Sequence, residues 1–140
     1  MSYKELENNY RMIQDASKEG ELGIFTAMSV SSNLGTVTRT KRFEALRGLA
    51  DLALAVTAYK TAKGTYPSSL EELTPEYIDR IPIDPFKGAL LESKHIDGGL
   101  DLYSQGPGPE SEDSEKGPIH FYCGRNAYHK NRVKVAQDHP

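Results

Sequence analysis

The chain has 140 residues, a formal net charge of −3, 37% hydrophobic residues and one cysteine, and its mean hydropathy is −0.59. This is mass enough for one domain with a compact core, while the acidic balance argues against a general nucleic-acid binder, which needs a basic face for phosphates. The lone Cys123 cannot close an internal disulfide, and no window holds the roughly 20 apolar residues that cross a bilayer, so no membrane contact by the chain as given is expected.

Residues 2–19 suit an amphipathic helix, with a Ser2/Glu5 capping pattern and Tyr3, Leu6, Tyr10 and Ile13 at three- and four-residue steps. Gly20 and Gly23 are expected to end it. Residues 31–40, SSNLGTVTRT, are rich in Ser, Thr and Gly and predict a connection; weak continuation as helix is the other option. Residues 41–63 carry the strongest pattern. Ala45, Leu49, Leu52, Val56 and Tyr59 form one apolar stripe, widened by Leu46 and Ala53. Arg47 and Asp51, four apart on the exposed side, can pair. Lys60 and Lys63 suit the helix C-terminus, with Gly64 placed just beyond it.

A proline-punctuated stretch follows, GTYPSSLEELTPEYIDRIPIDPF. Ser68 or Ser69 can cap a short helix with Glu71 and Glu72 in its first turn, and Pro75 starts another turn. Pro82 and Pro85 hold Ile83-Asp84 extended and out of any central strand. Tyr66 and Phe86 flank Leu70, Leu73, Tyr77, Ile78 and Ile81, so the stretch is expected to pack as an ordered connector. Three strands come next: residues 89–96, the Asp97-Gly98-Gly99 turn with 100–104, and 119–123 beyond an acidic Gly/Pro loop. Residues 125–140 form a basic tail. The fold class is therefore α+β: a long N-terminal helix packed on a small antiparallel sheet of three to four strands.

Tyr59, Gly64-Thr65-Tyr66-Pro67, Leu70 with Leu73, Pro82-Ile83-Asp84-Pro85-Phe86 and Tyr103-Ser104-Gln105-Gly106 stand in an order that resembles the periplasmic region of type II secretion major pseudopilins and their type IV pilin-like relatives. The resemblance covers about residues 43–123. It implies an organisation of 1–40 as an N-terminal helical extension and connection, 41–124 as the pseudopilin-like domain and 125–140 as the tail. It also implies a pilin-like fold lacking the transmembrane half of the helix, and a periplasmic or extracytoplasmic location, tethered to the inner membrane in the full-length protein. Where the family has a basic leader and a long apolar helix, residues 1–40 are polar. Either this chain is a shortened pilin or, as favoured here, it is the C-terminal part of a larger envelope protein using the module.

The family also binds calcium in the loop after the YSQG strand end, which would place Ser104, Glu112 and Asp113 near an ion. The residues supply the right chemistry, since calcium takes six to eight hard oxygens and the loop offers Asp101, Ser104, Glu110, Glu112, Asp113 and Glu115. A bare solvated loop is nevertheless the expected reading. His120 and Cys123 would point to opposite faces of one strand, which predicts a buried cysteine and an exposed histidine rather than a zinc site. Asp84 is expected to form a turn. No nucleophile elbow, zincin motif, P-loop or dinucleotide fingerprint is present. The expected function is a non-catalytic structural and interaction domain working with other secretion-system or envelope proteins, self-associating into small homo-oligomers at most. The alternative is a soluble accessory module that binds a ligand or partner, with calcium as one means.

Overall fold

A computed structural model describes residues 3–18, 24–108 and 117–124. Two helices come first, α1 (Tyr3–Lys18) and α2 (Ile24–Lys63), followed by a 3-10 turn at Leu70–Leu73 and the strands β1 (Glu92–Ile96), β2 (Gly99–Ser104) and β3 (Ile119–Gly124). The strands form one antiparallel sheet in the order β1-β2-β3. Gly20 and Gly23, proposed as helix stops, and the basic tail lie outside the described residues.

Residues 31–40 are helical, so the connection expected there gives way to the weaker option. Ser, Thr and Gly lower helix propensity by fractions of a kcal/mol each, and adding residues to an existing helix is far cheaper than nucleating one. Thr40 also returns its hydroxyl proton to the Thr36 carbonyl at 3.0 Å, which keeps a polar side chain compatible with the helix. At the far end Gly64 adopts φ +79° and its N–H donates to the Lys60 carbonyl at 2.8 Å, the left-handed stop the sequence predicts.

The core gathers where the stripe of α2 meets the sheet. Ala45, Leu49, Leu52 and Val56 are fully buried, together with Leu100, Leu102 and Ile119 from β2 and β3, while Tyr59 and Phe121 pack at the margin. Leu46, expected to widen the stripe, is instead 44% exposed. At about 100° per residue it lies too far round the helix for the sheet to cover. Leu70, Leu73, Ile81 and Phe86 of the connector close the other side, each fully buried side chain of this size contributing about 1.5–3 kcal/mol.

The strand expected at 89–96 begins only at Glu92. Residues before it pair backward: Asp84 N–H donates to the Ala89 carbonyl and Leu91 N–H to the Pro82 carbonyl, with an isolated bridge between Ile83 and Leu90. The β1–β2 hairpin turns at Asp97-Gly98, with Ile96 opposite Gly99. Gly99 has to be glycine, since a Cβ there would overlap the Cys123 carbonyl oxygen across the sheet.

Candidate functional site

Asp84 is the most deeply buried ionisable side chain among the described residues, at 2% exposure. Its Oδ1 accepts from the Phe86 N–H and its Oδ2 from the Gln105 N–H, both at 2.9 Å. The first contact is the local turn the sequence predicts; the second ties the proline-rich connector to the end of β2, 21 residues away. Asp84 is therefore a clamp between two segments, and every polar atom of its carboxylate has a main-chain partner.

The sheet face turned away from α2 carries the polar and aromatic residues that alternate with the core positions. Asp101 is 8% exposed, and both its carboxylate oxygens lie within reach of His120 Nδ1, at 2.9 and 3.1 Å. The His120 ring stacks beside Tyr103 and Tyr122, with centroids 5.7 and 5.9 Å away. Tyr103 donates its hydroxyl proton to Glu92 Oε2 at 2.8 Å, and Lys87 Nζ meets Glu92 Oε1 at 2.6 Å. The ammonium of Lys87 and then the Tyr103 hydroxyl hold the Glu92 carboxyl below the usual range; in return that carboxylate pushes the Tyr103 phenol up.

His120 thus departs from the exposed residue expected. Its side chain is 22% exposed because Asp101 and two tyrosines draw it onto the sheet. Cys123 is buried as expected, on the core side with Ile119. Burial, and then the charge of Asp101, push its thiol up to about 11, so at neutral pH it is a protonated core residue and a poor nucleophile.

Of the three calcium-site candidates the structure describes Ser104 alone; Glu112 and Asp113 lie outside the described residues. Ser104 is fully buried, on the same side of β2 as Leu100 and Leu102, and its Oγ accepts from the Gly106 N–H at 3.2 Å. It caps the strand end. The loop returns at Gly117, so close to Gly106 that a Cβ on Gly106 would overlap the Gly117 carbonyl; Arg42 of α2 also reaches that carbonyl, at 3.4 Å. Among the described residues no group of three or more His, Cys, Asp or Glu is arranged to hold a metal. Beside these loop ends an open groove of about 850 Å³ runs between Lys4 and Glu7 of α1 and Lys87, Tyr103, Pro118 and His120.

The sequence reading missed the Asp101–His120 pair, the Lys87–Glu92–Tyr103 chain and the long reach of Asp84. The first had a signal. Asp101 and Tyr103 alternate with Leu100 and Leu102, and His120 and Tyr122 alternate with Ile119 and Phe121, so both polar rows share a face once β2 and β3 are paired. No family model, curated protein or solved structure matches this chain.

Proposed function

We propose that this chain is a pseudopilin-like structural and interaction domain of a bacterial envelope or type II secretion system, with no catalysis of its own. It acts in the periplasm beside other secretion-system or envelope proteins, tethered to the inner membrane in the full-length protein. The observation that carries the reading is the layout around α2. From Ala45 on, a 40-residue helix buries one face against a three-stranded antiparallel sheet. A clamped, proline-rich connector joins the two, in the order that the sequence resemblance implies. The side-chain contacts described above also behave as braces: the Asp84 carboxylate is saturated by main-chain donors, and His120 is held by Asp101 and its stacked tyrosines. In this reading the acidic loop works without a metal, and Ser104 serves the strand end.

The open groove favours one other reading, a soluble accessory module that binds a ligand or partner there. One experiment separates the two. Deleting the gene in its own host should leave proteins bound for export trapped in the periplasm, and the full-length product should fractionate with the inner membrane. Undiminished export with a freely soluble product would overturn the pseudopilin reading in favour of the module.

A further inference from the structure

Phe43 is 71% exposed, Leu46 44% and Leu54 72%. With the half-buried Ala50 these residues follow one another at steps of three and four along α2, so they lie on a single face of the helix. That face is turned away from the stripe that Ala45, Leu49, Leu52 and Val56 bury against the sheet. Two charges run along one flank of it, Arg47 and Asp51, both exposed. The sequence predicts that they pair with each other, yet neither makes an ion pair with a described residue. A helix with two apolar faces has room for two partners, and the sheet supplies only one.

We propose that the outward face of α2 is a homodimer interface, on which a second copy of this chain packs its own α2 antiparallel. The positions are self-complementary in that orientation. With the two Ala50 residues at the twofold axis, Leu46 meets Leu54 of the second copy, and Phe43 meets the stretch at Thr57 of the second copy. The small alanine at the crossing lets the helices approach closely. Arg47 then falls within about two residue rises, roughly 3 Å along the axis, of Asp51 of the second copy, and on the same flank. Symmetry makes that ion pair twice, as an isologous contact requires. Parallel helices would set each residue against itself and bring Arg47 to the wrong flank, so the charges select the antiparallel form. The inference stands apart from the secretion reading, because it rests only on α2 and a twofold axis.

The test is sedimentation equilibrium of the purified full chain across the micromolar to millimolar range. Wild type should show a reversible monomer–dimer equilibrium. Leu54→Glu should weaken it about thirtyfold or more, as loss of a central anchor does, with an unchanged thermal melt at concentrations low enough that wild type is monomeric, because the side chain is exposed. Arg47→Asp and Asp51→Arg should each weaken self-association. An equimolar mixture of these two variants should form heterodimers, since one copy then presents two carboxylates along the flank and the other two guanidinium groups. A wild type that stays monomeric to millimolar concentration, a dimer indifferent to Leu54→Glu, long fibres in place of a closed dimer, or no heterodimer in the mixture would each overturn the proposal.

Discussion

The proline-rich connector and the sheet each bury an aspartate, and they satisfy it in different ways. Asp84, in the connector, gives both oxygens to peptide N–H groups, one two residues on and one at the end of β2. Asp101, in β2, gives both to a single side chain, His120 of the neighbouring strand. In the first case the carboxylate decides where the main chain runs. In the second the main chain is already set by the β2–β3 ladder, from Gly99 opposite Gly124 to Ser104 opposite Ile119, and the aspartate only fastens a ring to it. Similar burial therefore does not mean equal structural weight.

The largest expected effect follows from that contrast. Asp84→Ala strips partners from two N–H groups, of which that of Phe86 is buried and that of Gln105 lies nearer solvent, so a loss of roughly 2–4 kcal/mol should appear in urea unfolding. Asp84→Asn should recover only part of this, because its oxygen keeps one N–H partner while its amide sets a donor against the other. His120→Ala should cost less, about 1–3 kcal/mol, since it strands the Asp101 carboxylate but leaves the ladder intact. A His120→Ala loss equal to that of Asp84→Ala would abolish the distinction.

The same contrast explains how far the sequence could be read. The burial of Leu49, Leu52 and Val56 was legible because helical periodicity is written into consecutive turns, and the hairpin because Asp97-Gly98 admits few other conformations. The turn at Asp84 was legible too, since Phe86 N–H is two residues away. Its bond to Gln105 was not, because no local pattern says which distant N–H the connector will meet. His120 was misread for a similar reason: its partner becomes visible only when the β2–β3 register is known. For residues 31–40 the local preference was weak, and the neighbouring turns of an already formed helix decided the outcome. For Ser104, strand alternation makes its place with Leu100 and Leu102 on the core side legible, while its role toward calcium came only from the family resemblance.

A third carboxylate lies between the two extremes. Glu92 takes a proton-bearing contact from Tyr103 and an ion pair from Lys87, with its side chain 36% exposed. Its carboxyl pKa is lowered in the folded state, first by Lys87 and then by Tyr103. The stability it contributes is therefore fully present above the usual value of 4.5 and is lost as pH falls through the lower folded value. Solvent screening keeps the contribution below about 1 kcal/mol. Glu92→Gln should sit slightly below wild type in stability at neutral pH, and the gap should close on acidification. A gap that stays constant with pH would show that the Glu92 contacts contribute packing alone.

The smallest expected effect concerns the acidic loop, where the contrast would gain a third kind of carboxylate if a metal bound. Calcium needs six to eight oxygens around it, and the one candidate the structure describes, Ser104, faces the core and accepts the Gly106 N–H. Its oxygen already accepts one N–H, so an ion could reach it only through the remaining lone pair and only by entering buried space. We therefore expect equal melting temperatures in millimolar calcium and in chelator, for wild type and for Asp113→Ala. A bound ion would instead stabilise by mass action, about 2.7 kcal/mol at a hundredfold excess over its dissociation constant, and a shift of that size is easily seen in a domain this small. If calcium raised the wild-type melt and Asp113→Ala abolished the rise, the loop would be a metal site. Repeating the titration with Ser104→Ala would then tell whether the strand end had opened to join it. A rise that survives Ser104→Ala would keep Ser104 as a strand cap and place the ion wholly among the loop carboxylates and carbonyls.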